Sequence, residues 1–234
     1  MSRNIKVLFV GNSHTYMNDM PALFSHIYEK TDGGHTECVM LAYSGRDWQW
    51  HRQEYLSLRY NLLYGQYDYC ILQQAAHPFP PKETTMENGR AIIELCQKVH
   101  TIPVLAMTWA EKAYPENQQK MIDTYTQLAA ETGALLSPAG IVWQDVQRTC
   151  PAIDLYYRDG EHASPYGDLL IAMCHVCTIC RKTPQLPDHI LDFQVEFPGE
   201  GGFPHALEDA EQVRIPYDRA LGESIRKAVI QHCL

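Results

Sequence analysis

The stretch VLFVGNSHTYMND, residues 7–19, decides how the rest of the chain is read. Its first four residues are apolar and β-prone, the pattern of a strand buried on both faces. Gly11-Asn12 then starts a turn, and the turn delivers a hydroxyl, Ser13, where the strand stops and a helix is about to begin. In an open parallel sheet the carboxyl end of a strand is where ligands bind. The plain alternative for Ser13 is a helix cap. Asn12 suits bracing of the turn better than chemistry.

Outward from this stretch, short apolar runs alternate with segments of helical period. Strands are predicted at 5–10, 36–43, 67–74, 102–109 and 134–138. Helices are predicted at 18–31, 50–64, 85–99, 116–133, 139–149 and 165–181. In the 50–64 helix, Tyr55, Leu58, Leu62 and Leu63 fall on one face. Such alternation predicts an α/β fold, a three-layer α/β/α sandwich around a central five-stranded parallel sheet. Residues 183–216 are rich in Pro, Gly and acidic side chains, and a last helical segment follows. The chain therefore divides into an α/β domain over 1–182 and a C-terminal loop and helix extension over 183–234, packed on the same domain.

With 19 basic against 28 acidic residues in 234, the formal charge is −9, without blocks of like charge. That balance argues against nucleic acid, which requires a basic patch. The longest apolar runs are strand-length, so no membrane span is expected. The N-terminus reads as a first strand rather than a signal peptide. Together with eight cysteines in no extracellular-type framework, this points to a cytoplasmic protein with reduced thiols. Cys174-x-x-Cys177-x-x-Cys180 lies within one predicted helix and has no second ligand pair, so neither a metal nor another cofactor is expected.

A serine hydroxyl becomes a good nucleophile only when a base takes its proton. Asp159-Gly160-Glu161-His162 supplies such a base with its own acid: residues three apart on a turn can face each other. The Asp159 carboxylate can accept Nδ1–H of His162, leaving Nε2 free toward Ser13. Negative charge developing on a substrate oxygen needs donors. The candidates are the N–H of Ser13, the N–H of Gly45 just after strand two, and a side-chain amide at the end of strand three. Gln73 and Gln74 stand there, and which of them points into the site is left open, because neighbours on a strand face opposite ways.

The sequence resembles the SGNH (GDSL-type) hydrolases over about residues 4–181. VGNSHT is similar to the block with the nucleophilic serine, SGRDW to the block with the oxyanion glycine, and DGEHAS to the closing Asp-x-x-His block. The resemblance implies a flavodoxin-like topology, catalytic Ser13, Asp159 and His162, and an oxyanion hole of Ser13, Gly45 and an amide. The third block departs from the family pattern: Gly-x-Asn-Asp is replaced by LQQAAHPF. Carbohydrate-esterase branches use a glutamine in this region, so the resemblance implies Gln73 as the first choice of donor, Gln74 as the second and His77 as the third.

His14, Trp48, Gln74, His77 and Trp109 fall near strand ends and are the expected substrate-pocket residues, with Trp50 and Phe79 close by. Flat rings at a polar rim suit sugar faces, although ordinary packing explains any one of them. The expected activity is removal of a small acyl group, acetyl above all, from a carbohydrate or similar polar alcohol. Rival readings are a thioesterase or lipase, and a non-catalytic binding module. The expected partner is a small ester substrate; a homo-oligomer is compatible with the sequence. The tail, with EFPGEGGFP at 196–204, suits a lid, a cover for the sheet edge or a contact with a partner subunit.

Overall fold

The computed structural model describes residues 3–192, 195–196, 205–206 and 213–234. Strand β1 (Ile5–Gly11) shows why the sheet is covered twice. Val7 and Phe9 pack into one apolar cluster while Leu8 and Val10 pack into another, and all four are fully buried. A strand alternates its side chains, so a continuous apolar run feeds a core on each side.

The other elements of the sandwich follow in chain order: α1 (Ser13–Tyr16), α2 (Met20–Asp32), β2 (Thr36–Ala42), α3 (Trp48–Gln53), α4 (Tyr55–Gly65), β3 (Tyr69–Gln73), α5 (Lys82–Lys98), β4 (Ile102–Ala106), α6 (Asn117–Thr132), β5 (Leu135–Ser137), α7 (Ala139–Thr149) and α8 (Pro165–Cys180). The five strands are parallel in the order β2-β1-β3-β4-β5. Helices α2, α7 and α8 cover one face, and α3 to α6 the other. From β1 the chain moves to one edge of the sheet, and from β3 it moves toward the opposite edge. The loops leaving these two neighbours diverge and open a crevice at their carboxyl ends, the position where open α/β sheets hold ligands.

Two elements differ from the sequence reading. The helix expected over 50–64 is broken at Glu54 into α3 and α4. Only Leu58 and Leu62 of its apolar set are buried, while Tyr55 is 54% exposed and Leu63 36% exposed. All four residues lie in α4: Leu58 and Leu62, one turn apart, share the buried face, Leu63 stands about 100° around the helix from Leu62, and Tyr55 is the first residue after the break. The fourth strand stops at Ala106 instead of running to Trp109, because its partner β5 ends at Ser137, opposite Ala106.

Beyond α8, β6 (Ile190–Asp192) pairs antiparallel with β9 (Val213–Ile215), and β7 (Val195–Glu196) with β8 (His205–Ala206). Helix α9 (Arg219–Cys233) then packs on α7 and α8, burying Ile225 and Val229 in the first core. Residues 197–204, the proposed lid, lie outside the described residues. Cys174 and Cys177 are buried in α8 as free thiols. Among the described residues no helix is long and apolar enough to cross a membrane.

Candidate active site

Ser13 opens α1, and its place is set by the residue before it. Asn12 caps the helix by accepting His14 N–H through Oδ1 at 3.0 Å, and its Nδ2 donates to the Arg46 carbonyl at 2.9 Å. The turn after β1 is thereby tied to the loop after β2. Gly11 must lack a side chain here: a Cβ would stand 2.2 Å from Thr15 Oγ1 and 2.5 Å from Gln73 Oε1.

Gln73 is not among the residues lining the cleft at Ser13, and its amide is engaged with neighbouring groups. Its Oε1 accepts both Asn12 N–H and the Thr15 hydroxyl at 3.0 Å, and its Nε2 donates to the Gln74 carbonyl. Gln74 is equally engaged: Oε1 accepts Trp48 N–H and Ala75 N–H at 2.9 Å, and Nε2 reaches Thr85 Oγ1 at 3.4 Å. Both side chains brace the backbone at the sheet's rim, because backbone donors left there by the strand ends need buried acceptors. The oxyanion place given to Gln73 and the pocket place given to Gln74 are corrected accordingly.

The second half of the site comes from a tight hairpin at 155–164. Tyr157 N–H donates to the His162 carbonyl at 2.8 Å, and Gly160 takes the left-handed conformation at φ +75°. Asp159 Oδ1 accepts the N–H groups of Glu161 at 2.9 Å and His162 at 3.0 Å, the usual way an aspartate closes its own turn. Its Oδ2 lies 2.7 Å from His162 Nδ1, and His162 Nε2 lies 2.7 Å from Ser13 Oγ. A carboxylate only accepts, so the proton sits on Nδ1 and Nε2 presents its lone pair to the hydroxyl. Burial alone would raise the Asp159 pKa, but the Glu161 N–H and the His162 side chain outweigh it and hold the carboxyl below its ordinary value.

Side chains latch this hairpin to the rest. Trp109 Nε1–H donates to the Glu161 carbonyl at 2.9 Å, and Lys112 N–H donates to the Gly160 carbonyl at 2.8 Å. Asn18, itself left-handed at φ +50°, bonds through Nδ2 to the Ala163 carbonyl at 3.0 Å and to Asp168 Oδ2 at 2.7 Å. The sequence reading assigns neither Asn18, a candidate cap of the helix at 18–31, nor Asp168 a part in the site. The available signal was an aspartate inside the apolar helix GDLLIAMCHV, where an acid is costly without a partner.

Ser13, His14, Gly45, His77 and His162 line one cleft of about 480 Å³. No family model matches the sequence, and no curated protein matches it. Solved structures do. A protein from Slackia heliotrinireducens assigned as an SGNH hydrolase is similar at TM-score 0.63 and 22% identity, over 76% of this chain and 100% of that one. An acetylxylan esterase from Geobacillus stearothermophilus is similar at 0.64 and 13%, over 76% and 95%. A lipase/acylhydrolase from Enterococcus faecalis is similar at 0.63 and 13%, over 78% and 99%. The fold is that of the SGNH hydrolases.

Within this SGNH fold the expected aromatic pocket residues separate. Trp48 is fully buried in the second core, edge-on to Tyr125 at 5.9 Å. Trp109 stacks on Trp143 at 4.4 Å and is likewise buried. Neither lines the cleft. Both rings bury most of their area in cores, where a large aromatic surface is worth most. Phe79 packs against Tyr125 at 6.0 Å, and Trp50 leans on Tyr43 at 4.8 Å. The rings that do reach the cleft are His14 and His77, 4.9 Å apart.

Proposed function

We propose that the protein is a serine esterase that removes a small acyl group, acetyl in the first place, from a sugar hydroxyl or a similar neutral polar alcohol. The observation that carries this reading is the unbroken Asp159–His162–Ser13 line, with 2.7 Å at each link, opening on a cleft. Ser13 Oγ attacks the ester carbonyl while His162 Nε2 takes its proton. The N–H groups of Ser13 and Gly45 stabilise the oxyanion; Gly45, at φ +67° with no atom within 4 Å of a Cβ position, lets a substrate come close. His162 returns the proton to the leaving alcohol, and water resolves the acyl-enzyme.

The cleft supports the substrate class. Its described lining includes Asp47 and Glu161 but no Lys or Arg. Two carboxylates disfavour anionic acyl carriers and accept hydrogen bonds from neutral hydroxyls. Ala75, Ala76, Pro78 and Pro80 make up much of one wall and offer a long acyl chain little apolar depth. Similarity to an acetylxylan esterase points the same way.

Ser13→Ala is expected to abolish hydrolysis of an aryl acetate and labelling by a fluorophosphonate, with turnover of the unsubstituted protein fading beyond butyrate in a chain-length series. Labelling that persists in Ser13→Ala overturns the reading.

A further inference from the structure

Beside the Ser13–His162–Asp159 line runs a second row of rings that the mechanism above leaves without a task. His14 stacks on His162, with ring centroids 4.6 Å apart and planes 29° from parallel. His14 Nε2 lies 3.2 Å from His77 Nδ1, and His77 Nε2 lies 3.1 Å from the Trp109 carbonyl and 3.5 Å from Glu111 Oε2.

The proton positions follow from the partners. The Trp109 carbonyl only accepts, so His77 Nε2 carries hydrogen. A neutral His77 then accepts at Nδ1, and His14 must donate from Nε2. His14 Nδ1 is left as a bare lone pair, buried and without a hydrogen-bond partner. Burial first, and then the neighbouring His162 and His77, hold His14 well below the ordinary histidine pKa. The Glu161 carbonyl, which also accepts the Trp109 indole, pulls the other way and is outweighed. His77 is also kept neutral by burial, against the opposing charges of Glu111 and Glu161.

We propose that His14 is a positioning residue for the esterase reaction put forward above: its neutral ring, held in orientation by His77, fixes the plane of His162 and stabilises the imidazolium formed when Ser13 loses its proton. A neutral aromatic face attracts a cation laid over it. Donation from His14 Nε2–H to His77, with the Glu111 carboxylate behind, makes that face more electron-rich. The charged and titratable groups around the pair are Asp159 on the hairpin, His77 after β3, Glu111 after β4, and Glu161. Lys112 turns its ammonium to the Tyr156 ring, 5.9 Å from its centroid.

The test reads His162 directly, without turnover. In a Ser13→Ala background, the titration midpoint of His162 is followed by NMR of 15N-labelled histidine, with His14 kept, His14→Phe, or His14→Leu. Phe keeps a neutral flat face and Leu does not, and both are apolar. The midpoint is expected to stay in place with His14→Phe and to fall by about half a pH unit with His14→Leu. With Ser13 present, His14→Leu is expected to lower kcat about fivefold at unchanged KM, and His14→Phe to restore it. Thermal melts establish that each variant folds, and His14→Gln replaces His14→Leu if the latter does not. Equal midpoints for Phe and Leu, in a protein whose unsubstituted form turns over esters, overturn the role of His14 directly. Absence of ester turnover in the unsubstituted protein overturns it through the reading on which it rests.

Discussion

The turn after β1 and the 155–164 hairpin meet at one hydrogen bond, yet they are held in opposite ways. Asn12 and Thr15 are each 2% exposed, and the turn's bonds run into the sheet itself, through Gln73 of β3 and Arg46 after β2. The hairpin carries an exposed Glu161 and closes mainly on itself, with Trp109, Lys112 and Asn18 as its latches. The position of Ser13 therefore arrives with the fold, and the position of His162 depends on a few local contacts. Damage to the first turn is expected to cost stability and activity together, and damage to the hairpin to cost activity almost alone.

Asp159→Asn tests the hairpin side and has the largest expected effect. An amide keeps an oxygen for the Glu161 and His162 N–H groups but loses the carboxylate that orients the imidazole and balances its charge. A loss of about 10³–10⁴-fold in kcat is expected, with a melting temperature within about 2 °C of the parent. Because the Asp159 pKa is depressed in the fold, its stabilising contribution is present above the ordinary aspartate value and is lost as pH falls through the folded one. Melting curves taken through the acid range should accordingly show a decline in the parent that Asp159→Asn lacks. A large loss of stability near neutral pH would break the comparison.

Gln73→Leu tests the other side. It strips the acceptor from Asn12 N–H and from the Thr15 hydroxyl, both in a buried turn. Leaving such donors unpaired is expected to cost about 2–4 kcal/mol, read from urea unfolding, along with most of the activity. A different outcome is informative. If stability were intact and kcat alone fell, Gln73 would be an oxyanion donor, as the sequence suggested, and the brace assigned to it would be wrong.

The contrast explains what could be read from the sequence. Hydrophobic run and helical period locate the five strands and the sandwich, because burial on two faces leaves a local trace in residues such as Val7 to Val10. The order of Ser13, Gly45 and Asp159-x-x-His162 locates residues that the topology brings to one rim. What could not be read was direction. Gln73 and Gln74 stand at the expected strand end, but which polar atom a glutamine satisfies depends on Gly11, Asn12, Thr15 and Trp48, which lie far away in sequence. Trp48 and Trp109 are near the rim in sequence and point into the cores. The Asn18–Asp168 contact joins residues 150 apart, and no local pattern reports it.

That contact links the two regions, since Asn18 lies between α1 and α2 and also holds the hairpin at Ala163. Asp168 is fully buried; desolvation raises its pKa well above the ordinary value, against the opposing bond from Asn18. A raised folded pKa means that the contribution of the protonated form is complete below the unfolded value, about 3.9, and is lost as pH rises through the folded one. Asp168→Asn keeps an acceptor for Asn18 and cannot ionise. It is expected to match the parent near pH 4 and to exceed it by about 1–2 kcal/mol at pH 7.5, with little change in kcat. Identical pH dependence in the two proteins would mean that the charge is accommodated without cost. The join would then be as firmly held as the turn after β1, and the division between a framework side and a latched side would not extend to it.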